Sequence, residues 1–184
     1  MKKNAMRAAL VAGVAVMAAG LPAMTAQASS AEAGSGATTS REKGHVLSCQ
    51  GRAGDRSILV DLYDNSQYGS FASVNIEGPD GEYGGGSEPA QLFVNGSVSA
   101  DVPIEHFGEN GGDAGTATIR GTYALTGETT RIHDVYREPT WVVVTHGVHR
   151  QLSSSLTVDV LGETSSLSCQ PSFEYDLKVT RTPM

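Results

Sequence analysis

Phe173-Glu174-Tyr175-Asp176-Leu177-Lys178-Val179-Thr180-Arg181 places a large apolar side chain at every second position and charged or hydroxyl side chains between them. Successive side chains on an extended strand point to opposite faces, so the stretch reads as a half-buried strand with one wet face. The same period recurs upstream. Ile58, Val60 and Leu62 alternate with Ser57, Leu59 and Asp61. Ala72, Val74 and Ile76 alternate with Ser73, Asn75 and Glu77. Leu152, Leu156, Val158 and Val160 oppose Ser153, Ser155, Thr157 and Asp159. Weaker strand candidates are Val46–Gln50, Gln91–Val94, Ser97–Val102, Thr116–Leu125, Thr130–Tyr136 and Trp141–Val148. No segment carries a sustained helical stripe.

Turn chemistry separates these runs. Asn95-Gly96 suits a two-residue type I′ hairpin, because both residues accept positive φ. Pro79-Asp80-Gly81 and Thr126-Gly127-Glu128 read as further turns, and Glu138-Pro139 ends one strand before Trp141 opens the next. Gly78–Pro89 and Phe107–Gly115 read as longer loops, both Gly-rich and acidic. The fold expected is all-β: an antiparallel sandwich or small barrel of about eight to ten short strands.

The N-terminal end reads as an address. Lys2, Lys3 and Arg7 precede the uncharged run Ala8–Leu21, and Ala26-Gln27-Ala28 fits a small-x-small cleavage site. Residues 1–28 are therefore expected to be a signal peptide of bacterial type, leaving no membrane span after cleavage, and the protein is expected to be secreted. Residues 29–44 lack packing side chains and read as a disordered leader, with a single all-β domain over 45–184. In an oxidising compartment Cys49 and Cys169, the only two cysteines, are expected to pair. The closed loop exceeds a hundred residues, which the chain-entropy relation values at about 4–5 kcal/mol as an upper figure.

Charge is unevenly placed. The 184-residue chain has 13 Lys and Arg against 20 Asp and Glu, a net of −7; without residues 1–28, which hold three bases and no acids, the net is −10. This balance argues against nucleic-acid binding, which needs clustered cations. Between Arg56 and Arg120 there is no base but ten acids: Asp61, Asp64, Glu77, Asp80, Glu82, Glu88, Asp101, Glu105, Glu109 and Asp113. All the net charge of the secreted part belongs to this stretch. It implies an acidic surface suited to a basic extracellular or cell-envelope partner, with Asp80, Glu82 and Glu88 as a candidate binding loop.

No cofactor motif is present. Calcium is the one ion the acidic loops suit, with Glu105, Glu109, Asn110 and Asp113 as candidate ligands, although the spacing does not match an EF-hand. His146 and His149 lie three apart; on a strand they face opposite ways and could converge on a transition metal only across a bulge or turn. Trp141 opens an apolar strand and reads as core, whereas Tyr68 and Tyr83 lie near Gly-rich loops and read as exposed. Nucleophile elbows, zinc-protease helices and phosphate loops are missing. The leading expectation is a non-catalytic extracellular binding module. The alternatives are a small secreted hydrolase using His and carboxylate groups, and a structural envelope-associated protein. A hydrolase should bring one histidine, an acid and a Ser or Tyr together in a cleft.

Overall fold

The computed structural model describes residues 36–108 and 111–184. The expected signal peptide, the first part of the leader, and Glu109 and Asn110 lie outside them. Among the described residues the regular structure is nine β-strands and no helix: β1 Thr38–Ala53, β2 Arg56–Asn65, β3 Gly69–Gly78, β4 Gly81–Ser87, β5 Phe93–Val94, β6 Ser97–Phe107, β7 Gly112–Arg137, β8 Trp141–Val160 and β9 Glu163–Pro183. All lie in one antiparallel sheet, ordered β4-β3-β2-β1-β9-β8-β7-β6-β5. A further ladder joins Glu82, Tyr83 and Gly84 of β4 to Phe107, His106 and Glu105 of β6. Each of the eight strands other than β5 therefore has neighbours on both sides.

One face of the sheet supplies the core. Leu47, Ile58, Val60, Leu62, Val74, Ile76, Val102, Ile104, Ile119, Leu156 and Val158 are fully or almost fully buried in a single cluster. Their strand neighbours in sequence point outward, as period two requires. Cys49 and Cys169 are direct cross-strand partners of β1 and β9, with Sγ atoms 2.11 Å apart, at disulfide distance. Asn95 and Gly96 have φ of 50° and 79°, the pair of positive values a type I′ turn needs.

The strands are fewer and longer than the sequence suggests. The stretches Thr116–Leu125 and Thr130–Tyr136 belong to one strand of 26 residues, β7. Thr126-Gly127-Glu128 is not a turn: the β7–β8 register shifts between Leu125 and Thr129, and the extra residues bulge out of a continuing ladder. Trp141–Val148 and Leu152–Leu161 likewise merge in β8, which has 20 residues. The expected loop Gly78–Pro89 contains β4, hidden by its glycines. A Cβ on Gly85 would lie 1.9 Å from the Pro103 carbonyl oxygen, so the close approach of β4 to β6 leaves room only for hydrogen there. The loop expected over Phe107–Gly115 is short, because β6 runs to Phe107 and β7 starts at Gly112. The leader also ends sooner: β1 begins at Thr38, and Thr38–Gly44 pair with Arg181–Tyr175 of β9. A neighbouring backbone orders these polar residues without any core.

Candidate functional site

Beyond the core, four strands continue as an arm. Thr129–Arg137 of β7, Val142–Arg150 of β8, the second half of β9 and Thr38–Lys43 of β1 pair side by side, and none of these residues belongs to the core cluster. Direct cross-strand partners share a face. His133 faces His146, His146 faces Lys178, and Lys178 faces Arg41. One row of four basic side chains thus crosses all four strands. By period two the same face carries Arg131 and Arg137 on β7, Arg150 on β8 and Lys43 on β1, and it is continuous with the core side of the sheet through Leu152 and Leu47.

Six of the ten Lys and Arg residues outside residues 1–28 therefore stand on this one face. Its acids are Glu174 and Asp176. Glu174 accepts a 2.5 Å hydrogen bond from Arg150 Nη1. Asp176 accepts from Arg41 Nε and Nη2 at 2.8 and 2.7 Å, with Lys43 Nζ at 3.3 Å. This guanidinium, with Lys43 beside it, holds the Asp176 carboxyl down to about 2. Arg131, Arg137 and Lys178 are exposed and form no ion pair among the described residues. Their charges remain unneutralised. A shallow groove lies along the row, lined by Arg41, His146, Val148, Asp176 and Lys178.

The histidines separate as strand geometry requires. His146 meets His133, Nδ1 to Nδ1 at 2.9 Å, which makes one ring the donor and the other the acceptor. His149 lies on the opposite face, stacked on Phe173 at 4.1 Å, and burial pushes its pKa down. At the foot of the arm His45 Nδ1 donates to Asp64 Oδ1 at 3.0 Å, and the ring stacks on Phe93 at 4.7 Å, with Tyr123 edge-on at 5.2 Å. Burial raises the Tyr123 pKa. A histidine, a carboxylate and a tyrosine do meet here, but as a packed aromatic cap over the end of the core; the groove on the arm face is lined by other residues.

The nine described acids of the ten-acid stretch fall on neighbouring strands, β2, β3, β4 and β6, on the segments after β3 and β4, and at the start of β7. Asp80, Glu82 and Glu88 do not form one group. Asp80 is taken by Arg56, at 2.7 Å from Nη2, and by the Tyr83 hydroxyl, which together hold it at about 2. Glu82 stands on the outer face of β4, opposite Glu77. Glu88 lies beyond β4, beside Tyr68 and Ser70. Of the calcium candidates, Glu105 and Asp113 are cross-strand partners, Asp113 accepting from the Gly115 amide at 2.8 Å; Glu109 and Asn110 lie outside the described residues. Among the described residues no three His, Cys, Asp or Glu side chains converge as metal ligands.

Trp141 is not core. It sits at the arm's tip, 36% exposed and paired with Pro183, near Tyr136, which is 57% exposed. The arm extends past the buried layer, so its apolar residues have nothing to pack under. Tyr68 is exposed, as its loop position implies, whereas Tyr83 packs partly against the core. The basic face is hidden in the sequence because its members are scattered over four strands; the one local signal of it is the cluster of Arg and His between residues 131 and 150. No family model, curated protein or solved structure matches the chain.

Proposed function

We propose that the protein is an exported, non-catalytic interaction module that binds through the charged faces of its sheet. The observation that carries this reading is the arm: four strands that continue past the main core cluster, with a basic face holding three cations unpaired among the described residues. Such an extension adds little buried apolar area, so its value lies in the surface it presents. In this reading the ring of strand pairings closes a small barrel, and the barrel is the rigid support. The acidic strands offer a second surface, for a basic extracellular or cell-envelope partner. Export rests on the N-terminal sequence and on the cysteine pair, which suits an oxidising compartment.

A cation-exchange column tests the reading. At neutral pH and low salt the exported protein, whose net charge without residues 1–28 is −10, should nevertheless be retained on a sulfonate resin through the arm. The variant R131E/R137E/K178E should run through. Unretained wild-type protein would remove the arm as a binding surface.

A further inference from the structure

The acidic strands hold a row that mirrors the basic one. Glu77 of β3 is directly opposite Glu82 of β4. Glu82 pairs with Phe107 of β6 and Gly84 with Glu105, so Glu82 and Glu105 are diagonal neighbours on the outer face. Glu105 is directly opposite Asp113 of β7. Four carboxylates, all exposed and without an ion pair among the described residues, cross four adjacent strands. Like charges placed opposite each other on a sheet are destabilising, and here two such pairs adjoin.

The basic row His133, His146, Lys178 and Arg41 also crosses four adjacent strands. With strands about 4.8 Å apart, each row spans roughly 14 Å. The two rows are matched in length, the face around the basic row is net positive with six Lys and Arg against Glu174 and Asp176, and the rows lie on opposite faces of the sheet with only β7 in common. A chain cannot join its own rows.

Resting on the reading of the arm as a binding surface, we propose that the arm's basic face docks on the Glu77–Glu82–Glu105–Asp113 row of a second copy of this chain. The contact is head-to-tail, so each copy keeps one free row and the assembly is open rather than a closed dimer. It is also weak. An arm face four strands wide and nine residues long covers on the order of 600 Å², below the ~800 Å² per partner of a standard stable interface. Arg131 beside the row and Lys178 within it supply cations that no carboxylate among the described residues neutralises, so docking on the acidic row relieves repulsion on both sides.

Sedimentation velocity over a concentration series tests this. In ~10 mM salt, where charges act over about 30 Å, the weight-average sedimentation coefficient should rise with concentration; in ~1 M salt, where they act over about 3 Å, it should not. The arm variant R131E/K178E and the row variant E82K/E105K should each associate at least about tenfold more weakly than wild type, because like charges would then meet. Mixed together they should associate again, since each carries the charge the other lacks. Unchanged thermal melts show that both variants fold. A wild-type protein that stays monomeric in low salt overturns the proposal, as does association that neither variant weakens or a mixture that stays monomeric. If that monomer is still retained by the sulfonate resin, the arm binds anions of another source, and only the second copy is wrong as its occupant. If it is neither retained nor associated, the binding reading falls too.

Discussion

Asp80 and Asp176 show how single ion pairs tune this protein. Each lies beside a guanidinium, Arg56 and Arg41 respectively, and each has its pKa lowered to about 2. An aspartate in an unfolded chain titrates near 3.9. Between about pH 4 and 2 the folded state therefore binds fewer protons than the unfolded state, and stability falls as pH falls through that window. Both carboxylates are solvent-screened, so the contribution is small per residue. His149 works in the same direction at higher pH. Its pKa is lowered by burial, so stability starts to fall as pH drops below the ordinary histidine range, near 6.5. Urea midpoints of D80N/D176N, measured from neutral pH to about 2, should match wild type in shape near neutrality and fall less steeply below about pH 4. Parallel curves across that range would rule these pairs out as contributors.

At the scale of elements, the difference between core-bearing strands and arm should appear in amide exchange. β2 and β3 carry fully buried side chains at alternate positions, whereas Thr129–Arg137 of β7 has one ladder partner, β8, and no buried side chain. Local opening of that edge breaks few contacts. The amides of Thr129–Arg137 not bonded to β8 should exchange with solvent at once, and those bonded to it should still exchange well before those of Val60, Leu62 and Val74. Equal protection in both regions would mean that the arm is covered in solution, as docking on another copy would do. The same contrast explains what was legible beforehand. Where one face is buried, as in Ser57–Tyr63 or Phe71–Glu77, polar and apolar residues alternate and the strand can be read directly. In β4 the run Gly84-Gly85-Gly86 has no side chains to alternate, and in the β7–β8 part of the arm no side chain is fully buried, so Thr126–Glu128 imitates a turn and Trp141 imitates core. Strand register, which alone brings His133, His146, Lys178 and Arg41 into line, depends on long-range pairing that no local window contains.

For the molecule as a whole, the decisive junction is the three-residue ladder between β4 and β6. Every other neighbour pair among the eight principal strands is joined over seven or more residues, as in Ala72–Gly78 with Gly81–Ser87. Without this ladder β4 and β6 would be open edges, and the acidic row would be split between them. With it, Tyr83 and His106 pack as tilted rings with centroids 4.7 Å apart across the junction, and Gly85 lies against the Pro103 carbonyl. With β4 and β6 joined there is no edge there to recruit other chains, which leaves the arm's own edges and the two-residue β5 as the exposed ones among the described residues. A covalent test separates a closed barrel from an open sheet. Glu82 and Phe107 are direct partners with exposed side chains, so E82C/F107C should oxidise spontaneously. The new bridge closes a loop of some 25 residues, and the chain-entropy relation gives about 3 kcal/mol of added stability when the native geometry accepts it. That gain should appear as a higher urea midpoint which disappears on reducing a sample that also carries C49A/C169A, so that only the junction bridge is broken. Two thiols that stay free in the native protein would mean that β4 and β6 do not meet, and the sheet would then have to bury its apolar face as a sandwich.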